Sequence, residues 1–386
     1  MQQWVIEVKG ISFANKGAEL MLHAIQAQLE PRAAATGVSI KWVVEPDGPF
    51  LRRAAFGLWT KTRYVRKRLN WLAPLQWLPQ VLREQLGLVN SDEIDLVLDA
   101  SGFAYGDTWP VGVARDRLAS TINMLNKQAI PVVLLPQAFG PFMKPSSRAT
   151  FKIIATHADK IYARDEASQR YVAELNPQPS KLKRCPDFTN LVAGMPHDKF
   201  DAGQHQVCII PNAKMIEKRE DGDRYIHWLV RVIEKAQTLQ AKPFFLIHEA
   251  TADRALVEQI QQRLAAPIAV LDPQHALQIK WVIGQSQIVI GSRYHGLVSA
   301  LAQHIPVIAT GWSHKYQALL KDYDCTEALI ELTEEEQTRG LHRLEKLLTD
   351  ADWTTTERQK LATAGQWQRQ AVTAMWDEVT ALLVPE

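Results

Sequence analysis

Short apolar runs alternate with stretches of helical spacing along the first half of the chain. Leu20, Met21, Ala24, Ile25 and Leu29 would share one helical face, and a second helix is predicted over 115–128. The apolar runs that predict strands are Trp4–Val8, Ser39–Val44, Ile94–Leu98, Pro131–Gln137 and Lys160–Ala163. Strands that alternate with helices favour a parallel sheet with right-handed crossovers.

The pattern breaks at 191–198 and then starts again. Helices are predicted over 225–240 and 297–303, and the end of the chain, 355–383, is helical. Strands are predicted at Val207–Ile210, Phe244–Ile247, Ile268–Leu271, Ile288–Ile290 and Ile305–Ala309. We therefore expect an α/β protein with domains at 1–195 and 196–350, a helical segment at 351–386, and a cleft between the domains. Ligands of parallel sheets lie at the carboxyl ends of the strands, so the strand-to-helix turns are the places to search.

Composition narrows the function classes. A length of 386 residues suggests two domains, and a net charge of +2 gives no reason to expect nucleic acid as a partner. Cys185, Cys208 and Cys325 form no CxxC pair, and no Cys/His cluster has zinc spacing, so we expect neither disulfide nor metal. The start lacks the basic and apolar regions of a signal peptide, and no apolar run reaches 18 residues. We expect a cytoplasmic protein.

The segment Gly291–Gly296, GSRYHG, is the strongest local signal. It follows a predicted strand and opens a predicted helix, with Ser292 placed as the N-cap and Arg293 and His295 in the first turn. A helix N-terminus favours an anion, and Arg adds a two-pronged grip on phosphate or carboxylate. A His beside that anion would keep its proton more readily, as a general acid requires. The alternative is a capped helix with a solvated Arg and a packing His.

Three turns of the first half carry weaker signals. Arg164 ends a strand before the acidic helix start Asp165–Glu166 and could be their surface partner or an anion ligand. Asp99, in DASGFAYGD, is either a functional carboxylate at a buried strand end or a cap for the next turn. Asn15, in NKGAE, fits a plain helix N-cap, and the chain lacks the GxGxxG fingerprint of dinucleotide sites there.

Two turns of the second half complete the candidates. His248 and Glu249 follow one predicted strand, and Lys315 lies behind another in GWSHK. Lys315 could neutralise a phosphate, whereas a lone His such as His248 is more often a satisfied polar residue than a catalyst. We expect these residues near Arg293 and His295 on one face of the cleft.

Six segments in this order resemble the polysaccharide pyruvyl transferase family. They are NKGAELML from residue 15, DLVLDASGFAYGD from 95, LPQAFGPF from 135, YARDEAS from 162, PD at 186–187 and GSRYHGLVSALAQHIPVIAT from 291. The resemblance implies a glycosyltransferase B-type fold, in which two Rossmann-like domains face a cleft. It also implies phosphoenolpyruvate as donor and co-substrate, a sugar diol as acceptor, and no other cofactor.

The resemblance also assigns roles. Arg164, Arg293 and His295 would hold the donor, with Ser292, Lys315 and His248 beside them. His295 is then the candidate acid that protonates C3 of the enol, and Asp99 or Glu19 a candidate base. On the acceptor side we expect Asn15, Glu19 and Tyr105. Many family members have a glycine-rich first turn where this chain has SFANKGAE, a departure that concerns the acceptor and not the donor.

Two rival functions stay open. A sugar-nucleotide glycosyltransferase of the same fold would need an acidic group for the donor ribose, and Glu249 could supply it. A non-catalytic saccharide-binding relative would bind sugar without releasing phosphate.

The region 48–90 is unusual in composition. Between Gly48 and Arg83 there is no Asp or Glu. It carries basic residues and tryptophans, namely Arg52, Arg53, Lys61, Arg63, Arg66, Lys67, Arg68, Arg83, Trp59, Trp71 and Trp77. One interpretation is peripheral docking on an anionic membrane, where a lipid-linked saccharide would be met. The other is an insertion whose tryptophans pack on the core.

Overall fold

A computed structural model describes residues 2–66, 69–175, 177–218 and 221–383. Contacts divide the chain into two units. Unit 1 comprises Met1–Phe13, Met21–Phe188 and Ala371–Glu386, and unit 2 comprises Ala14–Leu20 and Thr189–Gln370. The main change of unit falls between Phe188 and Thr189, close to the linker expected from the sequence. Residues 14–20 belong to unit 2, although the residues on either side of them belong to unit 1. Residues 371–386 belong to unit 1, although the residues before them belong to unit 2.

Unit 1 is built on a parallel sheet of eight strands, in the order β10-β9-β8-β7-β1-β2-β3-β6. A separate antiparallel pair, β4 and β5, lies outside it. The strands are β1 (Gln3–Lys9), β2 (Ser39–Val44), β3 (Trp59–Lys61), β4 (Val65–Arg66), β5 (Leu69–Asn70), β6 (Leu88–Val89), β7 (Leu96–Asp99), β8 (Val132–Gln137), β9 (Lys160–Ala163) and β10 (Leu182–Arg184). The central strands are buried on both faces, which explains their nearly continuous apolar runs.

Helices connect these strands. They are α1 (Lys16–Ala35), whose first residues are counted with unit 2, α2 (Phe50–Ala55), α3 (Gln80–Gln85), α4 (Val111–Ala114), α5 (Ile122–Lys127), α6 (Pro145–His157) and α7 (Glu166–Ala173). Because parallel strands joined by helices all run in one direction, their carboxyl ends gather at a single edge of the sheet.

The predicted helix over 115–128 is wrong as a single element. Residues Arg115–Ala119 form a π turn after α4, and Thr121 leaves the helical conformation before α5 begins. The wider turn adds a residue between α4 and α5, and Leu118, Ile122 and Leu125 are all fully buried. The sequence pattern predicts helix here but does not reveal the extra residue.

Unit 2 is a parallel sheet in the order β13-β12-β11-β14-β15, the doubly wound arrangement of a Rossmann-like fold. Its strands are β11 (Val207–Ile210), β12 (Pro243–Leu246), β13 (Ala269–Leu271), β14 (Ile288–Gly291) and β15 (Val307–Ala309). Its helices are α8 (Lys214–Glu217), α9 (Gly222–Thr238), α10 (Ala250–Gln261), α11 (Ala276–Gln285), α12 (Tyr294–Ala302), α13 (Lys315–Asp322), α14 (Glu334–Thr349) and α15 (Ala351–Ala381), whose end is counted with unit 1. The strand order reverses between β11 and β14, so the crevice at their carboxyl ends is the expected ligand position.

The tryptophans of the 48–90 region do not share one environment. Trp59 is half-buried beneath the Lys41 ammonium, 4.2 Å from its ring centre, as the core-packing interpretation expects. Trp71 and Trp77 are 60% and 88% exposed, so that interpretation is wrong for them. Eight of the fourteen large apolar side chains that are exposed among the described residues lie between residues 50 and 86.

The basic residues of this region are divided as well. Lys61 is buried and donates to Glu7 at 2.5 Å, and Arg83 is paired with Glu93 at 2.7 Å. Arg53 is also buried. Lys67 and Arg68 lie outside the described residues. None of the helices in the described ranges combines the length and apolar character needed to cross a bilayer.

Candidate functional site

The turn after β14 is held by polar groups from the turn after β11 and from helices α9 and α13. The Ser292 hydroxyl is 2.5 Å from the Tyr225 hydroxyl, and its carbonyl accepts from Asn212 Nδ2 at 2.6 Å and Tyr316 Oη at 2.9 Å. Helix α12 begins at Tyr294, so Arg293, not Ser292, occupies the N-cap position. The predicted Ser292 cap is therefore wrong. A fully buried hydroxyl needs a hydrogen-bond partner. The Ser292 hydroxyl bonds Tyr225 instead of an amide in the first turn of α12.

Arg293 is buried and engaged by two carboxylates. It donates to Glu249 Oε2 at 2.5 Å and to Asp253 Oδ1. Asp253 is fully buried and its other oxygen accepts from the Glu249 amide at 2.9 Å. Burial works against a charged guanidinium, but Asp253 and Glu249 outweigh it and raise the pKa of Arg293. The alternative of a solvated Arg is excluded for this residue.

His248 lies at the carboxyl end of β12 and is buried. Burial lowers its pKa far below the ordinary value, and the positive charges of Arg293, His295 and Lys16 lower it further. His248 is therefore a neutral imidazole at neutral pH. It can hydrogen-bond a ligand but does not add a positive charge to the site.

The first turn of α1 belongs to the same unit and packs against His295. Asn15 Oδ1 accepts from the Gly17 amide at 2.9 Å, which confirms the predicted N-cap. Asn15 also forms an antiparallel bridge with Glu249. A Cβ placed on Gly17 would lie 2.2 Å from His295 Nδ1, so only glycine fits there. Thus the NKGAE and GSRYHG segments meet, with the half-buried His295 ring against helix backbone.

Glu19 joins α1 to the start of α11. It is fully buried, and its oxygens accept from Lys16 Nζ at 2.8 Å and from the Ala276 amide at 2.9 Å. Lys16 also donates to the Gln274 carbonyl at 2.6 Å. Both carboxylate oxygens of Glu19 thus have protein partners, which gives this residue a structural task. The acceptor-binding roles of Asn15 and Glu19 stay predictions.

Lys315 opens helix α13 within a group of aromatic rings. Its Nζ lies 4.6 Å from the Trp312 ring centre, 5.4 Å from that of Tyr316 and 5.5 Å from that of Tyr294. Such rings stabilise the ammonium and fix its position. A cation at the first residue of a helix is opposed by the helix dipole, so a bound anion would relieve that cost.

In unit 1, Asp99 and Tyr105 form one buried group. Asp99 Oδ1 accepts from the Ser101 amide at 3.1 Å and the Ser101 hydroxyl at 2.5 Å, while Oδ2 accepts from the Tyr105 hydroxyl. Asp99 therefore caps the turn after β7, the alternative left open by the sequence. Burial raises the pKa of Tyr105 well above its usual range, and the Asp99 charge adds to this rise. The two predicted site residues are thus direct partners.

Arg164 follows β9 and is buried, with its Nη1 3.1 Å from Asp187 Oδ2. The prediction of a surface partner is wrong, because Arg164 is buried, and Asp165 caps α7 by accepting from the Ser168 amide at 2.7 Å. Asp187 belongs to the PD segment, which is one of the six segments of the family resemblance but had no predicted role. A buried Arg at a strand end required such a partner.

A charged network at the ends of β1 and β2 is not among the features predicted from the sequence. Lys9 is buried and donates to Glu45 at 2.5 Å, and its Nζ is 3.2 Å from Glu7. Glu7 is fully buried and also accepts from Lys61. Burial alone would raise the pKa of Glu7, but Lys61 and Lys9 lower it to about 2. The sequence did contain a signal for this network, because Glu7 and Lys9 lie within the apolar strand WVIEVK and charges buried in such a strand must be paired.

The comparisons with known proteins settle the family. A family model described as polysaccharide pyruvyl transferase matches residues 15–314, which is well over half of the chain. The chain belongs to the polysaccharide pyruvyl transferase family. The match contains Asn15 and the segment with Arg293 and His295, and it ends one residue before Lys315. No curated protein matches the chain.

Several solved structures with UDP or a UDP-sugar bound share the fold. HepE of Anabaena, in complex with UDP-glucose, has a TM-score of 0.58 at 13% identity, with 99% of this chain and 100% of that chain covered. MnaA of S. aureus, solved with UDP, has a TM-score of 0.60 at 9% identity, with coverage of 100% and 98%. UDP-GlcNAc 2-epimerase of Neisseria meningitidis, bound to UDP-GlcNAc, has a TM-score of 0.56 at 11% identity, with coverage of 96% and 99%. These likenesses confirm the α/β, glycosyltransferase B-type fold.

Proposed function

We propose that this protein transfers the enolpyruvyl group of phosphoenolpyruvate to a saccharide diol, forming a pyruvate ketal and releasing phosphate. The observation that carries the proposal is the family match over 15–314, which includes the Arg293–His295 turn at the switch point of the unit 2 sheet. Phosphoenolpyruvate carries a phosphate and a carboxylate, and Arg is the side chain best suited to grip either.

Donor binding would use the turn after β14. Arg293 pairs with Asp253, which is fully buried, and with Glu249, whose side chain is 32% exposed. Separating Arg293 from Asp253 would leave a fully buried carboxylate without its charged partner, whereas Glu249 can turn toward water. The donor would therefore replace the Glu249 contact, with Lys315 and the α12 N-terminus as further anion partners. Ser292, His248 and Arg164 complete the proposed donor residues.

The proposed reaction balances without a further reagent. His295 protonates C3 of the enol, which leaves C2 electrophilic, and one saccharide hydroxyl attacks C2. Asp99, held by Tyr105, is the proposed base for that hydroxyl proton. Phosphate then leaves from C2 with its electron pair, and a second hydroxyl of the same saccharide closes the ketal. One hydroxyl proton replaces the proton used at C3, and the other leaves with phosphate.

The decisive experiment measures inorganic phosphate released from phosphoenolpyruvate across a panel of free and lipid-linked saccharides. At least one saccharide should stimulate release, with a mass change in that saccharide matching a ketal. Arg293→Gln should lower the rate roughly 100-fold or more, since a charged partner of the reacting group is lost. Arg231→Gln, which removes a surface pair with Glu334, is the matched control and should leave the rate unchanged. Equal rates in the two variants would refute the proposal.

A second candidate, sugar-nucleotide-dependent glycosyl transfer, is favoured by one observation. Glu249 presents a partly exposed carboxylate at the end of β12, beside an Arg293 already balanced by two acidic groups. A carboxylate suits a ribose diol better than it suits an anion. UDP binding measured by calorimetry separates the candidates, because a phosphoenolpyruvate-dependent enzyme should bind phosphoenolpyruvate and not UDP. Saccharide binding with no phosphate release from any donor would instead identify a non-catalytic relative.

Peripheral contact with an anionic membrane stays part of the proposal for the 48–90 region. Its support is the exposure of Trp71 and Trp77 in a stretch without acidic residues up to Arg83. Amphipathic rings of this kind insert at the level of the lipid headgroups. Such contact would bring the protein to a lipid-linked saccharide at the cytoplasmic face.

A further inference from the structure

The turn after β15, with the sequence GWSHK, lies beside the turn after β14 in unit 2. Strands β14 and β15 are neighbours in the sheet, and the Thr310 amide donates to the Gly291 carbonyl at 3.1 Å. Tyr316, in the helix that follows GWSHK, donates its hydroxyl to the Ser292 carbonyl at 2.9 Å. The turn after β15 is therefore held against the residues that lead into Arg293.

Two hydrogen-bond donors of this turn have no partner. The indole N–H of Trp312 and the hydroxyl of Ser313 are shielded from water, and neither makes a hydrogen bond within the part of the chain that the structure describes. Ser313 does not cap the helix that follows, since the N-cap position belongs to His314. A shielded donor without a partner destabilises the folded protein, so its presence needs a reason.

The position of these two donors distinguishes them from others of the same kind. The indole N–H groups of Trp228 and Trp376 also lack partners, but both side chains are fully buried within helices α9 and α15. Trp312 and Ser313 are half-buried and follow the carboxyl end of a parallel strand, where ligands of such sheets bind. A ligand at this edge of the sheet can supply the missing acceptors.

The charges of the turn indicate the kind of ligand. Lys315 Nζ lies 4.6 Å from the centre of the Trp312 ring, so an ammonium accompanies the two donors. The segment GWSHK contains no acidic residue. A group that satisfies an ammonium, an indole N–H and a hydroxyl together must carry negative charge and several acceptor oxygens, as a phosphate does.

Arg293 suits the other end of the donor. Its guanidinium pairs with the buried Asp253 and with Glu249, whose side chain is 32% exposed. A carboxylate of the donor can replace that of Glu249 and leave the charge around the guanidinium unchanged. A phosphate dianion in the same place would add a charge beside the buried Asp253, which is costly in a region shielded from water.

We propose that Ser313 and Trp312, together with Lys315, bind the phosphate group of the donor, and that Arg293 binds its carboxylate. This inference rests on the proposed function and adds to it two binding residues and the orientation of phosphoenolpyruvate. In this orientation the leaving group meets the donors of the turn after β15. They stabilise the negative charge that phosphate takes up as its bond to C2 breaks.

The test uses inorganic phosphate and pyruvate, which carry one end of the donor each. Both are titrated into the full-length protein by calorimetry, alongside phosphoenolpyruvate. Ser313→Ala and Trp312→Phe should each weaken phosphate and phosphoenolpyruvate about tenfold or more, as expected when a hydrogen bond to a charged group is lost, and leave pyruvate unchanged. Arg293→Lys should weaken pyruvate more than phosphate. Trp353→Phe is the matched control, because Lys346 Nζ lies 4.5 Å from that ring centre, and it should not affect binding.

Thermal unfolding without ligand distinguishes a binding hydroxyl from a structural one. Ser313→Ala removes a hydroxyl without a protein partner, so Tm should stay the same or rise. Ser286→Ala is the matched control, because this buried hydroxyl donates to the Val282 carbonyl at 2.9 Å. It should lower Tm and leave phosphate binding unchanged.

Each outcome bears on the orientation separately from the reaction. No phosphate binding by the wild type, phosphate binding that neither substitution weakens, or a Tm lowered by Ser313→Ala overturns the inference. An equal loss of pyruvate and phosphate binding overturns it as well. Phosphate binding that depends on Ser313 and Trp312, without phosphate release from phosphoenolpyruvate with any saccharide, would support the site and refute the proposed function. Release whose KM for phosphoenolpyruvate is unchanged in both variants would do the reverse.

Discussion

Gly17→Ala tests the contact between the first turn of α1 and His295. The added Cβ would lie 2.2 Å from Nδ1 and 2.9 Å from Cγ of the imidazole, whereas an ordinary contact begins at 3.4 Å. The ring must therefore move by about 1.2 Å, or the helix must shift by the same amount. Gly17 and His295 both belong to unit 2, so the clash does not depend on any change elsewhere.

The expected free-energy change is the difference of two opposing effects. Replacing Gly by Ala inside a helix stabilises by up to about 1 kcal/mol. Overpacking against a ring costs about 1–3 kcal/mol. We expect a net loss of about 1–2 kcal/mol, which lowers Tm by roughly 2–8 °C for a unit of this size. Displacement of a catalytic group by about 1 Å also costs roughly 100-fold in rate.

Thermal unfolding and phosphate release from phosphoenolpyruvate measure the two effects. Gly112→Ala is the matched control, because its Cβ would meet only the Arg115 side chain at 3.5 Å. The double variant Gly17→Ala/His295→Ala should recover the lost stability but not the activity, since the clash is gone and the ring with it. Wild-type Tm and rate in Gly17→Ala would refute the packing argument.

Three further predictions concern other parts of the chain. The pKa of Glu7 is lowered from 4.5 to about 2, so its contribution of about 3 kcal/mol is present above pH 4.5 and is lost as the pH falls through 2. Urea unfolding from pH 7 to pH 2 should therefore show a steeper loss of stability in the wild type than in Glu7→Gln, and parallel curves would contradict the assignment. Tyr225→Phe removes the partner of the Ser292 hydroxyl and should cost about 1–3 kcal/mol in urea unfolding; an unchanged midpoint would show that Ser292 has another partner. Trp77→Ala should leave Tm unchanged, because Trp77 is 88% exposed, but should reduce sedimentation with anionic vesicles at low salt, whereas Trp367→Ala should not. No sedimentation of the wild type would end the membrane proposal.

Local pattern was enough for most of the elements and for some of their caps. The apolar runs identified all five strands of the unit 2 sheet and five of the eight strands of the unit 1 sheet, but not the short strands β3, β6 and β10. Their alternation with helices predicted that the strands are parallel. Asn15 was correctly predicted to cap α1, because an N-cap bond joins residues two apart in sequence. The motifs were sufficient to identify the family, because their order along the chain can be recognised without knowing which residues are in contact.

Local pattern failed where a tertiary partner competes with a nearby one. Ser292 has the sequence context of an N-cap, but its hydroxyl meets Tyr225, which is 67 residues earlier. Arg164 has acidic neighbours in sequence, yet it pairs with Asp187 at the end of the adjacent strand. A buried polar group takes the partner that the packing brings to it, and sequence distance does not enter that choice.

By itself, the sequence determined the class of fold, the family and the strand-end turns at which chemistry is to be expected. The tertiary structure decided which of these turns meet. It assigned residues 14–20 to unit 2, where Gly17 packs on His295, and it brought Lys9 to Glu45. Strand order produces the contact of Lys9 with Glu45, because β1 and β2 are neighbouring parallel strands whose carboxyl ends lie side by side although they are tens of residues apart in the chain.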